Sequence, residues 1–259
     1  MDPLVVTLSS KAGPERERRA ERVAARLGVP WVKDRRDLAG QPVRMYRIGP
    51  RRERLVFPDG SLLEPHPGTW IQKMPLEHAH PFARALGGGQ LRVLDATAGL
   101  GQDALHAAGL GHEVLAVERQ PVLATLLEAW LRRSRGAAEP WAAAAARIRV
   151  VCADAAEALA LLPAKSFDVV YFDPMFGGAR AAAPGFEGLR REAWSEPVSA
   201  RAFAHARRVA SRVLVKAPRV GPPSVAFNPL ELSPAVRSRT FTYWAWVQGQ
   251  PLSPGLAVQ

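Results

Sequence analysis

Four consecutive residues, Asp173, Pro174, Met175 and Phe176, are the most chemically informative run in this 259-residue chain. They follow an apolar stretch with the character of a buried β-strand. A carboxylate, a backbone carbonyl and an aromatic ring this close together can hold a planar amine, because the oxygens accept its N–H groups and the ring stacks on its plane. We therefore expect Asp173, Pro174 and Phe176 to act in methylation of the exocyclic amine of a base.

An exocyclic base amine is a weak nucleophile because its lone pair is delocalised into the ring. Hydrogen bonds to the Asp173 carboxylate and the Pro174 carbonyl would favour a pyramidal nitrogen and aim its lone pair at the donor methyl group. Such alignment can lower a barrier by about 7 kcal/mol or more in favourable model reactions, without a strong base. Stacking of the base on Phe176 would add about 1–3 kcal/mol. The structural alternative is an Asp-Pro turn with Phe176 filling the core.

A second run, from Asp95 to Gly101, predicts a strand that ends in a glycine turn. Gly99 and Gly101 would let the backbone pass close to a ligand without side-chain interference. The spacing differs from the dinucleotide fingerprint G-x-G-x-x-G, because Ala104 stands where the third glycine would be. We predict that Asp95, Gly99 and Gly101 line a pocket for the methyl donor.

Other acidic and polar residues follow predicted strands. Glu118 ends the second strand, where a carboxylate can accept both ribose hydroxyls of an adenosyl cofactor or of NAD. Asp154 ends the third, where it can bind the adenine amino group or cap the next helix. Gln102 and Asp103 begin the first crossover helix and can contact the donor's amino-acid end or cap that helix.

The elements that position these residues alternate between β-rich and helical patterns from Leu91 onward, which predicts an α/β fold with a doubly wound, mostly parallel sheet. The predicted strands are Arg92 to Ala96, Glu113 to Glu118, Ile148 to Asp154, Phe167 to Asp173 and Arg212 to Lys216. A last β-rich run, Arg239 to Val247, has no helix before it and is predicted to be antiparallel. Ligands of open parallel sheets bind at the carboxyl ends of the strands, where the acidic residues fall.

We predict three segments along the chain. Residues 1–65 form a small N-terminal α/β domain with strands at Leu4 to Leu8, Val43 to Ile48 and Arg54 to Phe57 and a helix from Pro14 to Leu27. Residues 66–90 are a proline-rich connector with a helix near Leu76 to Leu86. Residues 91–259 form the methyltransferase domain.

The net charge of +11 favours a polyanionic partner, with RNA or DNA as the first expectation. A coding bias toward Arg, Ala and Pro would give the same composition. Arg180, Arg190 and Arg191 follow the Asp-Pro tip in a long loop, and Lys216 lies in the fifth strand. We predict that these four bind substrate phosphates around an extruded base. An ordinary solvated basic loop is the alternative.

A single cysteine, Cys152, excludes an intrachain disulfide framework and fits a reducing compartment. We expect its side chain to be in the core. The N-terminus lacks the pattern of a secretion signal, and a cytoplasmic protein without a membrane anchor is expected. The spacing of His66, His78 and His80 does not suit metal binding, and no metal is expected.

Four runs together resemble the bacterial 16S rRNA guanine-N2 methyltransferase family called RsmJ: Val93 to Ala107, Val117 to Val122, Val170 to Phe176 and Val213 to Lys216. The resemblance covers roughly Leu91 to Val247. It implies a Rossmann-like class I methyltransferase whose cofactor is S-adenosyl-L-methionine and whose partner is ribosomal RNA or the small ribosomal subunit. It also implies cofactor binding by Gln102, Asp103, Glu118, Arg119, Asp154, Ala155 and Asp173.

The chain departs from that family in three places. The family commonly has arginine where this chain has Gln102, and a serine pair where it has Asp154 and Ala155. The loop after the Asp-Pro tip is lysine-rich in the family and arginine-rich here. The first 65 residues look more like a broader set of related methyltransferases, with matches at Thr7, Leu27 to Pro30 and His66 to Gly68.

The sequence thus predicts direct methyl transfer to the exocyclic amine of a base in structured RNA, most simply guanine N2 of 16S rRNA. Methylation of a DNA base or of a protein amide nitrogen is the first alternative, because those enzymes use a similar Asp/Asn-Pro-x-aromatic tip. A non-catalytic RNA-binding protein that retains the fold is the second. An NAD enzyme is the third.

Overall fold

The computed structural model describes residues 2–9, 12–38, 40–68, 79–174, 186–192 and 196–250. Two larger sheets organise these residues, a five-stranded sheet near the N-terminus and a seven-stranded sheet after it. A short two-stranded sheet lies beside the second.

The first sheet is mixed and carries one helix. Its elements are β1 (Leu4–Leu8), α1 (Pro14–Leu27), β2 (Trp31–Val32), β3 (Arg44–Ile48), β4 (Glu53–Val56) and β5 (Leu62–Leu63). The strand order is β2-β1-β3-β4-β5, with β1 parallel to both neighbours and the later pairs antiparallel. Helix α1 ends at Gly28, which adopts the left-handed conformation with φ of 64° that favours glycine at this position.

The rest of the chain alternates strands and helices as predicted. Its helices are α2 (Pro81–Leu86), α3 (Gln102–Gly109), α4 (Pro121–Ser134), α5 (Ala142–Ala146), α6 (Ala155–Leu161), α7 (Phe186–Glu192) and α8 (Ala200–Val209). Its strands are β6 (Arg92–Asp95), β7 (Glu113–Glu118), β8 (Ile148–Cys152), β9 (Phe167–Phe172), β10 (Val198–Ser199), β11 (Ala210–Pro218), β12 (Val225–Ala226), β13 (Ser233–Arg237) and β14 (Phe241–Val247).

The seven-stranded sheet has the order β13-β14-β11-β9-β6-β7-β8. Strands β6, β7, β8, β9 and β11 are parallel, and β14 runs antiparallel to β11. This confirms the predicted doubly wound sheet with an antiparallel last strand. The chain moves outward from β6 to β8 and then returns with β9 on the other side of β6. The strand order therefore reverses between β6 and β9, where such sheets bind ligands.

Both faces of this sheet are covered, which explains why its strands are continuous apolar runs. Successive residues of β6 point to opposite faces, so Val93 belongs to the core beside α3 and Leu94 to the core beside α8. Leu105 of α3 and Phe203 of α8 are 1% and 3% exposed. The two cores fix the positions of the strand ends that carry the acidic residues.

A third core joins the first sheet to α4. Tyr46 and Leu55 from the sheet pack in one cluster with Leu123 and Leu126 of α4. Leu127, the next residue of α4, belongs instead to the core of the seven-stranded sheet. Helix α4 is therefore buried on two sides. The domain boundary predicted at residue 65 stays a prediction, and the packing shows the two sheets in contact through one helix.

Three local features differ from the sequence-based expectations. Helix α2 begins at Pro81, and the predicted residues 76–78 lie outside the described part of the chain. Strand β13 was not predicted, because it contains Pro234; it is an edge strand, where proline is tolerated, and its register shifts between Pro234 and Val236. Cys152 is exposed because β8 forms the other edge of the sheet, so the expectation of a core position was wrong.

Candidate active site

A cavity of about 270 Å³ lies where the strand order reverses, at the carboxyl ends of β6, β7 and β9. It brings together nearly all residues predicted to bind the cofactor. They are Asp95, Gly99, Gln102, Asp103, Glu118, Arg119, Asp154, Ala155 and Asp173, with Pro174 beside them. Distant segments of the chain thus meet at the edge of the sheet that the topology predicts.

Asp95 is buried at the end of β6 and organises the loop that follows. Its Oδ1 accepts a hydrogen bond of 3.2 Å from the backbone N–H of Thr97. The Thr97 hydroxyl oxygen in turn accepts a 2.6 Å hydrogen bond from the backbone N–H of Asp173. Burial and the neighbouring Asp103 carboxylate raise the pKa of Asp95 well above its ordinary value. The ends of β6 and β9 are therefore tied together beside Asp95, which forms no ion pair with the described residues.

The glycine turn after Asp95 adopts a backbone that other residues rarely accept. Gly99 and Gly101 have φ values of 54° and 76°, both in the left-handed region. A Cβ at Gly101 would also lie 2.6 Å from a Leu127 methyl carbon. Glycine is therefore favoured at position 101 for two reasons, the left-handed backbone conformation and the close packing on α4.

Glu118 at the end of β7 is held by backbone groups on both sides. Its Oε2 accepts a 2.7 Å hydrogen bond from Gly99 N–H, and its Oε1 accepts one of 2.7 Å from Gln120 N–H. Burial raises the pKa of Glu118 above its ordinary value. A carboxylate has about four lone-pair sites for hydrogen bonds. A carboxylate fixed in this way can accept two adjacent ribose hydroxyls.

Asp154 performs one of its two predicted roles in the structure. It is the N-cap of α6, and its Oδ1 accepts hydrogen bonds from the backbone N–H groups of Ala156 and Glu157 at 2.8 and 3.3 Å. The same residue lines the cavity with Ala155. Both capping bonds go to Oδ1, so capping is compatible with a ligand contact through Oδ2.

Lys216 bridges two acidic residues of the site. Its Nζ lies 2.6 Å from Asp173 Oδ2 and 3.2 Å from Asp103 Oδ2. The hydroxyl of Tyr171 donates to the same Asp103 oxygen at 2.8 Å. Burial lowers the pKa of Lys216, but the two carboxylates outweigh it and raise that pKa above its ordinary value. The Lys216 side chain is only 13% exposed, so this charge is consumed within the site.

The sequence did not predict this ion pair. Val215 of β11 is opposite Phe172 of β9, a register that brings Lys216 beside Asp173. Tyr171 precedes Asp173 by two residues, so strand alternation puts both side chains on the same face of the sheet. This spacing in the sequence could have indicated that Tyr171 lies at the site. A single sequence gives no comparable signal for the register in which β11 pairs with β9.

Two further contacts connect the cavity to its surroundings. Arg119 pairs with Glu196 at 2.9 Å, and both residues line the cavity. The amide of Gln102 donates to the backbone carbonyl of His66, which ties the start of α3 to the segment after the first sheet. Neither Glu196 nor this link was predicted.

The predicted substrate-binding residues are only partly placed. Met175, Phe176 and Arg180 lie outside the described residues, and Arg190 belongs to α7 without a described side chain. Arg191 lies against the first sheet, where it pairs with Asp59 at 2.7 Å and lies 5.2 Å above the Phe57 ring. Its predicted contact with substrate stays a prediction.

The charges in the cavity favour a cationic ligand. Burial raises the pKa values of Asp95 and Glu118, which means that ionising them is costly without a nearby positive charge. S-adenosylmethionine carries positive charge on its sulfonium and on its ammonium group, so it would add positive charge beside the buried carboxylates. When bound, this cofactor supplies a methyl group on a positively charged sulfur. The residues present therefore fit it.

The described residues contain neither a candidate metal cluster nor a candidate membrane span. Nowhere in that part of the chain do three or more His, Cys, Asp or Glu side chains form a group suited to a metal ion. No helix described there has both the length and the apolar character to cross a membrane.

The sheet order and the acidic cavity define a class I methyltransferase dependent on S-adenosylmethionine. A family model of SAM-dependent methyltransferases, SAM_MT, matches residues 77–239. The crystal structure of a SAM-dependent methyltransferase from Neisseria gonorrhoeae shares the fold, with a TM-score of 0.66 over 95% of this chain and 97% of that one at 22% identity. S-adenosyl-L-methionine is the cofactor of this class.

Several relatives are named ribosomal RNA small subunit methyltransferase J. The one from Halorhodospira halophila is 36% identical over 84% of this chain and 86% of its own length. That from Pseudomonas paraeruginosa is 34% identical over 77% and 79%, and that from Laribacter hongkongensis is 46% identical over 54% and 52%. The chain belongs to the ribosomal RNA small subunit methyltransferase J family.

Proposed function

We propose that this protein transfers the methyl group of S-adenosylmethionine to the N2 amine of a guanine in 16S ribosomal RNA. The observation that carries the proposal is the position of Asp173. Its carboxylate lies at the strand-order reversal, on the wall of the donor cavity, and is fixed by Lys216 through its side chain and by Thr97 through its backbone. Pro174 follows it on the same wall.

Asp173 and Pro174 orient the acceptor in this proposal. The carboxylate and the Pro174 carbonyl accept the two N–H bonds of the amine, and Phe176 stacks on the base. The nitrogen lone pair would then face the methyl carbon and form the new N–C bond as the C–S bond breaks. The C–S electron pair would stay on the sulfur, and the nitrogen would then lose its proton to water. Alignment supplies the catalysis, so no residue has to act as a strong base.

Two observations support ribosomal RNA as the substrate. The relatives named above carry that substrate in their names. The net charge of +11 favours a polyanion over a neutral acceptor. We also propose a cytoplasmic location, which fits this substrate, and contacts of Arg180, Arg190 and Arg191 with its phosphates.

The test is a comparison of modified nucleotides in ribosomal RNA from cells with and without the gene, by mass spectrometry of defined fragments. We expect one guanine to lose a single methyl group in the deletion strain and to regain it when the wild-type gene returns. The Asp173→Asn variant, which keeps the shape of the side chain, should not restore it.

A second measurement separates the acceptor classes. Purified protein is incubated with labelled donor and with RNA, DNA and protein fractions from the deletion strain. Label in small-subunit RNA supports the proposal. Label only in DNA or in protein would replace it with the corresponding acceptor.

A further inference from the structure

A second cavity, of about 810 Å³, opens next to the active site at the ends of β11 and β14. Lys216 lines this cavity, and its ammonium group binds Asp173 on the wall of the donor pocket. Lys216 also pairs with Asp103 of the same wall, so its side chain lies between the two cavities. We refer to the second one as the basic cleft. Its lining consists of His80, Pro81, Lys216, Arg219, Val220, Arg237, Ser238, Arg239, Thr240, Phe241 and Tyr243.

The basic cleft carries uncompensated positive charge. Arg219, Arg237 and Arg239 are exposed, and none of them forms an ion pair with a carboxylate in the described part of the chain. No Asp or Glu contributes to the described lining. Many other surface arginines differ in this respect; Arg207, for example, pairs with Glu231 at 2.7 Å. Three arginines without an acidic partner among the described residues suit a polyanionic ligand.

The backbone of the cleft is well fixed. The hydroxyl oxygen of Ser238 accepts hydrogen bonds from the backbone N–H groups of Thr240 and Phe241 at 3.2 and 2.8 Å, which closes the turn between β13 and β14. The backbone N–H of Arg219 donates to the Thr240 carbonyl at 3.1 Å. The turn is therefore attached to the end of β11, and the arginines extend from a frame that needs little ordering on binding.

An aromatic ring joins the cleft to the active site. Phe241 is half-buried, and the Lys216 ammonium lies 4.7 Å from its ring centroid. Basic side chains beside an aromatic ring are typical of surfaces that bind single-stranded nucleic acid. The contact also places the cleft beside the carboxylate that holds the target amine.

We propose that the basic cleft binds the sugar-phosphate backbone of the RNA substrate on one side of the target guanine. Arg219, Arg237 and Arg239 contact the phosphates. This inference rests on the proposed function, because a base held at Asp173 brings its flanking phosphates to the adjacent cleft. It assigns substrate contacts to the β13–β14 turn, in addition to those proposed for Arg180, Arg190 and Arg191.

The test uses charge reversal with a matched control. Arg237→Glu and Arg239→Glu change the cleft. Arg149→Glu is the control, because Arg149 is also exposed, forms no ion pair with the described carboxylates, and lies on the opposite edge strand, β8. Six strand spacings of about 4.8 Å place it about 29 Å from β13 along the sheet. Each of the three substitutions changes the net charge by the same amount.

Binding of a small-subunit RNA fragment is measured by fluorescence anisotropy over a series of salt concentrations. We expect each cleft variant to bind RNA about tenfold more weakly than the control, with the slope of log K against log salt reduced by about 0.7–1. Donor affinity, measured by calorimetry, should equal that of the wild type. The KM for RNA should rise with little change in kcat.

Equal RNA affinity and equal salt slopes for Arg237→Glu, Arg239→Glu and Arg149→Glu would overturn the inference while leaving the proposed function intact, provided that all three methylate RNA. If the wild-type protein failed to methylate RNA, both the inference and the proposed function would be overturned. A weakened donor affinity in the cleft variants would also count against the inference, because it would show damage to the donor pocket.

Discussion

The donor pocket and the basic cleft lie next to each other and have opposite charge. The pocket contains Asp95, Glu118 and Asp173, and the cleft contains three exposed arginines. Lys216 lies between them and is bound to carboxylates on the acidic side. The difference matches the two reactants, since the donor is a cation and the proposed acceptor a polyanion.

The comparison shows that a net charge of +11 says little about a particular site. The chemistry takes place in an acidic pocket within a basic protein. Buried carboxylates act at short range in a low dielectric, whereas exposed arginines act at longer range and are screened by salt. The two sites should therefore respond differently to mutation, pH and salt.

The largest effect should come from Asp173, where the two sites meet. Asp173→Ala removes the acceptor of the amine N–H and should lower kcat by a factor of about 100 or more. Donor affinity should fall much less, because Asp95 and Glu118 remain. Single-turnover methylation and calorimetric titration of the donor measure the two quantities. Full activity in Asp173→Ala would place the catalytic centre elsewhere.

Replacing Lys216, whose ammonium group lies between the donor pocket and the basic cleft, should have the next largest effect. Lys216→Met leaves Asp103 and Asp173 close together without a cation, which is costly for buried groups, and we expect a loss of activity of about 10- to 100-fold. Lys216→Arg keeps the charge and should retain more activity. A pH profile checks the cause, because Asp173 in Lys216→Met should titrate at a higher pH than in the wild type.

A backbone change should affect the acidic side alone. Gly101→Ala places a Cβ 2.6 Å from a Leu127 methyl carbon at a φ of 76°, and we expect it to lower the free energy of unfolding by about 1–3 kcal/mol and to weaken donor binding. Gly111→Ala is the control, with a φ of 95° and nothing within 4 Å of its Cβ. It should lose less stability, and donor affinity should not change. Thermal unfolding with and without the donor tests both.

The smallest effect should be a change in donor affinity with pH. Because burial and the neighbouring Asp103 raise the pKa of Asp95, part of the pocket takes up protons as the pH falls, whereas a cationic ligand prefers the ionised carboxylate. Donor affinity should therefore fall severalfold from about pH 8 to about pH 5. The decline should be smaller in Asp95→Asn. A profile that is the same in both proteins would exclude Asp95 as its source.

Much of the site was predictable, because it depends on strand ends. Apolar runs in the sequence locate β6, β7 and β9, and the residue after or at each end is acidic. Parallel strands bring such residues to one edge regardless of their distance along the chain. The antiparallel direction of β14 was also predicted, because the sequence has no helical pattern directly before it. The pairing of β14 with β11 confirms this prediction.

The features that escaped prediction depend on side-chain contacts between distant segments. The ion pair of Lys216 with Asp103, 113 positions away, was not predicted, and the predicted contact of Lys216 with substrate stays a prediction. The lining of the basic cleft includes Arg237 of β13, and β13 was not predicted because it contains Pro234. The two-sided burial of α4 was equally hidden, because a helix that is apolar on most sides does not identify which neighbour covers each side.

The double burial of α4 also has a thermodynamic consequence. A fragment that started near residue 91 would leave Leu123 and Leu126, both fully buried here, in contact with water. Glu118 and Gln120 lie directly before this helix and help to form the donor pocket. Melting of the first sheet and loss of cofactor affinity should therefore occur in one cooperative transition. Saturating cofactor should protect the segment from Leu4 to Leu63 from proteases, although that segment contributes nothing to the described pocket lining.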